Sequence, residues 1–283
     1  MTEKQTNLIV RSITGIVFLA VMICGILSLN TSPLAFAALF ALITGLSVRE
    51  FCDIVSERPD VTVNPFICSV SGVCLFLAVY GYSMGLVTHM GVFVPFIISI
   101  IYLLISELYL QRESPINNWA YTMMSQLYVA LPFALLPVLA TLTTGEHLWL
   151  FPLSVFIFLW TSDTGAYCFG SLFGRHRLFE RISPKKSWEG SIGGTFVSLL
   201  ASVVLWYFYG VLTLPQWLGF AIVVVVFGTW GDLVESLLKR QLDIKDSGNI
   251  LPGHGGMLDR FDSSLLAIPA SVVYLYTLTI INL

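Results

Sequence analysis

"FAIVVVVFGTWGDLVESLLKRQ", residues 220–241, changes character halfway. It opens on eight apolar residues and closes on Asp232, Glu235, Lys239 and Arg240. Alone, the apolar half could be a buried strand of a soluble α/β protein as readily as a membrane helix. The rest of the chain decides. Of 283 residues, 56% are hydrophobic and 11% charged, where a soluble domain carries about 25% charged residues. A bilayer core about 30 Å thick needs about 20 apolar residues per helix. Nine stretches meet or approach that length: 12–29, 33–48, 66–83, 91–110, 119–142, 148–169, 191–212, 215–236 and 263–281. This pattern predicts an all-α, polytopic membrane protein with about nine transmembrane helices. The second stretch is short, and the proline-containing fifth and sixth are candidates for kinked or re-entrant helices.

The first stretch follows Lys4 and Arg11, as a signal peptide would, but its apolar run is too long and no small-x-small site follows. It reads as an uncleaved helix. With a cytoplasmic N-terminus and nine crossings, all 14 Lys and Arg fall on or near the cytoplasmic side. The opposite loops, near 30–32, 84–90, 143–147 and 213–214, contain none. That is the positive-inside pattern. The net charge of −3 says little about partners, and no basic run or motif suggests nucleic acid. Cys24, Cys52, Cys68, Cys74 and Cys168 lie in spans or at their cytoplasmic ends without a CxxC, so no disulfide is expected. No internal repeat stands out, which counts against a transporter.

Charge concentrates in two places. Residues 163–189 hold Asp163, Arg175, Arg177, Glu180, Arg181, Lys185, Lys186 and Glu189. Residues 232–262 hold Asp232, Glu235, Lys239, Arg240, Asp243, Lys245, Asp246, Asp259, Arg260 and Asp262. Residues 1–145 therefore read as scaffold, and 146–283 as the region carrying chemistry on the cytoplasmic face.

Asp232, Glu235, Ser236 and Lys239 share one helical face. They could hold a cation and a phosphate, or form a membrane-exit stripe with snorkelling ends. Asp232 sits near the membrane boundary, where acids turn to the bundle interior or a wet cavity. In "IKDSGNILPGHGGMLDRFDSS" (244–264), Gly253, Gly255 and Gly256 permit close backbone approach to a ligand. Asp259 and Asp262 lie at the start of the last span, where helix capping explains one of them but not His254 or Arg260. A hard cation such as Mg²⁺ takes carboxylate oxygens and keeps water and substrate phosphates, which suits Asp232 with Asp259. Asp163, near the end of the sixth span, is a further functional candidate. Lys185 and Lys186, among glycines 165, 170 and 174, suit a polyphosphate, although an ordinary cytoplasmic loop would carry as much charge.

"SLLKRQLDIKDSGNILPGHGGMLDRFD", residues 236–262, resembles the signature of the phosphatidate cytidylyltransferases, also called CDP-diacylglycerol synthases. The matching positions are Ser236, Lys239, Arg240, Lys245, Asp246, Gly248, Leu251, Pro252, His254, Gly255, Gly256, Asp259, Arg260 and Asp262. "SDTGAY" (162–167) and "SPKKSWEG" (183–190) are similar to the family too, so the resemblance covers about 159–265. It implies that CTP and phosphatidate give CDP-diacylglycerol and diphosphate with Mg²⁺, in phospholipid biosynthesis at the bacterial inner (plasma) membrane. It admits a homodimer. On that basis Asp232 and Asp259 would bind the metal, with Asp262 and Asp163 as further ligands. Lys239, Arg240, Lys245 and Arg260 would hold substrate phosphates, and Lys185 and Lys186 would clamp the triphosphate. Ser236, Asp246 and His254 would contact substrate or order the loop. A CTP-dependent polyprenol kinase, a CDP-alcohol phosphotransferase and a transporter are the rival readings. The first needs a base for a hydroxyl acceptor, the second a DGxxAR run that is missing, and the third charges at mid-membrane.

Overall fold

A computed structural model describes residues 3–143, 147–244, 246–248, 250 and 255–281, with backbone alone for 3–11 and 281. Among the described residues the protein is all-α apart from one hairpin. Its helices are α1 (Glu3–Leu27), α2 (Pro33–Val55), α3 (Pro65–Ser83), α4 (Val94–Leu110), α5 (Pro115–Met124), α6 (Leu131–Ala134), α7 (Leu136–Thr141), α8 (Leu150–Phe173), α9 (Trp188–Phe208), α10 (Leu214–Gln241), α11 (Leu258–Phe261) and α12 (Ser264–Ile281). The strands β1 (Arg177–Phe179) and β2 (Ser183–Ser187) pair antiparallel between α8 and α9.

Among the described residues, eight helical stretches are long and apolar enough to cross a membrane: Ser12–Asn30, Pro33–Val55, Pro65–Ser83, Met90–Leu110, Pro115–Thr141, Trp188–Phe208, Leu214–Gln241 and Leu258–Ile280. The ninth expected span, 148–169, forms as the 24-residue α8. It falls short in composition because Thr161–Gly165 interrupts its apolar run. The short second span proves to be a 23-residue helix running on through Arg49 and Glu50. The fifth is broken as its prolines suggest. A π-helical stretch, Ser125–Ala130, precedes Pro132, and a second break follows at Leu135, just ahead of Pro137. Side chains that a soluble protein would bury point outward: on α4, Ile97, Ile98, Ile101, Ile105 and Leu108 are all exposed. That is the surface lipid covers. All five cysteines are free.

The chain divides into two compact units. The first comprises Met1–Thr141 and Leu242–Phe261. Phe36, Phe40, Phe51, Phe76 and Phe133 fill its interior. Asn64 starts α3 by accepting the Ile67 N–H at 3.1 Å. The loop before α3 is tied to α4 and α5 by a polar knot. Glu107, 7% exposed, accepts from Arg112 at 2.6 Å and from Asn118 at 2.9 Å. Arg112 also reaches the Thr62 carbonyl, while Asn118 accepts the Thr62 N–H. Beside it, Arg58 forks onto Asp60 with two 3.0 Å bonds and holds that carboxyl below its usual range.

The second unit comprises Leu142–Gln241 and Asp262–Leu283. Phe151, Phe158, Trp217 and Phe220 form its aromatic core, with ring centroids 5.5–6.4 Å apart. Helix α10 packs on α8, α9 and α12. Helices α8 and α9 touch backbone to backbone through small residues, as membrane helices do. A Cβ on Gly194 would stand 2.5 Å from the Ser162 carbonyl oxygen, and one on Gly190 would stand 2.9 Å from that of Ala166. A Cβ on Gly165 would come within 2.9 Å of the Gly194 Cα.

Candidate active site

In the second unit, the polar part begins where α8 ends. Glu189, in the first turn of α9, reaches back and accepts the Arg175 N–H at 3.1 Å and the His176 N–H at 3.2 Å. Its other oxygen lies 2.6 Å from His176 Nδ1. Ser187 caps α9, its Oγ accepting the Gly190 N–H at 3.2 Å. These bonds fold "SPKKSWEG" into the second strand of the hairpin and then directly into a helix. Gly170 and Gly174 leave room for Ser187: a Cβ on either would meet its Oγ, at 3.4 and 2.9 Å. The two lysines therefore arrive at a helix N-terminus, which favours anions.

They look into a cavity of about 390 Å³ between α8, α9 and α10. Asp163, Tyr167, Lys185, Lys186, Ser191 and Thr229 are on its wall. Lys185 is exposed. Lys186 puts Nζ 2.5 Å from Asp232 Oδ2, each side chain 27% exposed. Asp232 Oδ1 accepts from Ser236 Oγ at 3.1 Å. One turn further, Lys239 Nζ lies 2.7 Å from Glu235, whose side chain is fully buried. The Asp232–Lys239 face thus carries a ladder of polar contacts along α10. Gly231 brings residue 262 onto α10, since a Cβ there would stand 2.6 Å from the Asp262 carbonyl oxygen. The Asp262 carboxylate feels the like charges of Asp232, Glu235 and Asp163, and Asp163 feels Lys186 and Asp232.

The glycine-rich segment belongs to the first unit. Asp259 accepts the Ser247 N–H with both oxygens, at 3.1 and 3.0 Å, and the Gly256 N–H at 2.9 Å. Gly255 needs its hydrogen side chain twice over: its φ is +82°, and a Cβ would lie 2.6 Å from Asp259. A second carboxylate comes from α2. Glu50, 5% exposed, accepts the Leu258 N–H at 2.8 Å and lies 3.4 Å from Ser247 Oγ.

The sequence pattern of the cytidylyltransferase family matches residues 9–278. The chain belongs to that family. Among its relatives, the phosphatidate cytidylyltransferase of Staphylococcus haemolyticus is 35% identical over 92% of this chain and 96% of its own length. That of Staphylococcus aureus strain COL has the same identity and coverage. That of Staphylococcus saprophyticus is 45% identical over 53% of this chain and 56% of its own.

Within this cytidylyltransferase, seven of the residues expected from sequence gather in the second unit: Asp163, Lys185, Lys186, Asp232, Ser236, Lys239 and Asp262. Arg240 is exposed near the end of α10. Asp259, Arg260 and Asp246 lie in the first unit, Arg260 and Asp246 both exposed. Lys245 and His254 lie outside the described residues. Sequence reasoning took Arg49 for a flanking charge and passed over Glu50 beside it. A partial signal was available: Glu50 lies just past Arg49 at the end of the apolar run through Val48, and an acid so placed turns toward protein.

Proposed function

We propose that this chain transfers a cytidylyl group from CTP to phosphatidate, giving CDP-diacylglycerol and diphosphate. The activity is that named for its relatives. The carrying observation is the cavity whose wall combines Lys185 and Lys186 with Asp163, backed by Asp232. A phosphatidate oxygen attacks the α-phosphorus of CTP, a new P–O bond forms, and the bond to the β-phosphate breaks with the electron pair leaving on diphosphate. Both reactants are anions, so neutralisation and alignment carry the rate. Lys185 and Lys186 neutralise the triphosphate. Lys239 compensates the buried Glu235 and so fixes the turn of α10 that presents Asp232. No base is required, because a phosphate monoester is already ionised near neutral pH.

Mg²⁺ fits the donor set. Among the described residues no three His, Cys, Asp or Glu side chains form a closed metal cage. Mg²⁺ does not ask for one: it takes one or two carboxylates and completes its shell with water and substrate phosphates. Asp262 faces three like charges, which a divalent cation would relieve. One or two of Asp232, Asp262 and Asp163 would hold it, and it would offset the charge developing on the phosphate oxygens. Asp259 was expected as a ligand as well. Both of its oxygens accept backbone N–H groups, which supports a loop-holding role.

The chain sits in a bacterial plasma membrane with its N-terminus in the cytoplasm, since α8 as a ninth crossing keeps every Lys and Arg on one side. A C-terminal reporter should then be active only outside; cytoplasmic activity would overturn that orientation. Purified protein given CTP labelled at its α- and γ-phosphates, phosphatidate, a polyprenol and Mg²⁺ should form labelled CDP-diacylglycerol. Labelled polyprenyl phosphate in its place, or no product, would overturn the assignment.

A further inference from the structure

A buried carboxylate outside the catalytic cavity has no part in the mechanism above. Glu50 lies on α2, 208 residues before the Leu258 N–H that it accepts. One oxygen, Oε2, takes that bond and faces Ser247 Oγ. The other, Oε1, is buried and has no hydrogen-bond partner among the described residues. It is wedged between two glycines: a Cβ on Gly248 would stand 2.6 Å from it, and one on Gly256 2.8 Å. A buried charge is costly unless it works for its place. Here it grips the signature segment at both ends, residues 247–248 and 256–258.

We propose that Glu50 is a positioning residue for the two described ends of that segment, Ser247–Gly248 and Gly256–Leu258, setting their backbone for catalysis. The proposal rests on the cytidylyltransferase reading for its effect on rate, but not for its effect on the loop. Asp259 ties Ser247 to Gly256 from just beyond the segment. Glu50 ties Ser247 and Leu258 to a membrane helix, so these two ends inherit the rigidity of α2. Gly248 and Gly256 are glycines because the carboxylate occupies the space a side chain would need.

The full-length chain serves for the test, as Glu50→Gln, Glu50→Asp, Gly248→Ala and the double variant Glu50→Asp/Gly248→Ala. Hydrogen exchange reads the loop without any substrate. Glu50→Gln keeps an acceptor but loses the charge, and a charge-assisted bond weakened that way should speed exchange at Leu258, whose N–H it accepts, about tenfold. Exchange in α8, α9 and α10 should not move. In the CDP-diacylglycerol assay kcat should fall about tenfold, while KM for CTP changes less than about twofold, because Lys185 and Lys186 are untouched. Gly248→Ala should impair both readouts. The shorter Glu50→Asp side chain should make room for the new methyl, so that the double variant loses less than the two single losses combined. Unchanged exchange at Leu258, a general rise in exchange across both units, faster loop exchange with normal kcat, or additive losses in the double variant would each overturn the proposal. If Glu50→Gln does not fold, the Gly248→Ala pair carries the decision. If the wild type forms no CDP-diacylglycerol, the functional reading fails, and loop exchange with the double-variant coupling still decides whether Glu50 holds the segment.

Discussion

Replacing Gly194 by alanine tests whether the contact between α8 and α9 sets the cavity. The added Cβ would stand 2.5 Å from the Ser162 carbonyl oxygen and 3.0 Å from its Oγ. Ordinary contact begins near 3.4 Å, so the helices must separate by about 0.9 Å at this point. The obstacle is backbone, so no rotamer change relieves it. Overpacking of this kind costs about 1–3 kcal/mol, and the better helix propensity of alanine returns about 1 kcal/mol, leaving a net loss of up to about 2 kcal/mol. The catalytic effect should be larger. Ser162 precedes Asp163, and α9 begins two residues after Lys186, so the displacement acts on two residues of the cavity wall. A misplacement of about 1 Å can cost about a hundredfold in rate. Gly194→Ala should therefore lose on the order of a hundredfold in CDP-diacylglycerol formation with a modest fall in Tm. Gly210→Ala is the control, since nothing lies within 4 Å of its Cβ; it should keep both. Wild-type activity and Tm in Gly194→Ala would refute the argument that this contact shapes the site.

Three further outcomes follow from other contacts. Lys185→Ala should raise KM for CTP with little effect on kcat, whereas Lys186→Ala should raise KM and also lower kcat, because it deprives Asp232 of its 2.5 Å partner; identical kinetics for the two would contradict the distinction. Asp259→Asn replaces an acceptor by an NH₂ that meets the Ser247 or Gly256 N–H, so turnover should fall at least about tenfold with an unchanged Mg²⁺ midpoint. A midpoint shifted to higher Mg²⁺ would make Asp259 a metal ligand instead. The Asp60 carboxyl is held low by Arg58, so its contribution to stability is present in full above the usual carboxyl pKa of about 4 and is lost as pH falls through its lower folded value. Asp60→Asn should flatten part of the acid limb of a Tm-against-pH curve and leave the slope above about pH 5 alone, and an altered slope there would contradict it.

The spans were legible because hydropathy is a local property, and a run such as 94–105 cannot be hidden. The exceptions have local causes as well. Helix α8 falls below a membrane helix in composition because Thr161, Ser162, Asp163 and Thr164 sit together, two of which, Ser162 and Asp163, line the cavity. Lys186 and Asp232 were both candidates from sequence, but as a phosphate clamp and a metal ligand, not as partners. An ion pair between a strand end and a helix 46 residues on leaves no periodic trace. Gly165 read as room beside a polyphosphate, whereas the structure spends it on helix contact. Glu50 was the largest omission. Nothing near it in sequence explains it, since the donors it serves lie at 247 and 258.

That separation has a consequence for how the protein is made. Ribosomes add about 5–20 residues per second, so the 208 residues between Glu50 and Leu258 take about 10–40 s to synthesise. Throughout that time α2 must enter the bilayer with a carboxylate whose final donors do not yet exist. At the cytoplasmic end of the helix, water must solvate that group until residues 247 and 258 emerge. A ribosome that stops before residue 258 leaves the acid without its Leu258 donor. The last quarter of translation therefore completes a contact that the first quarter begins.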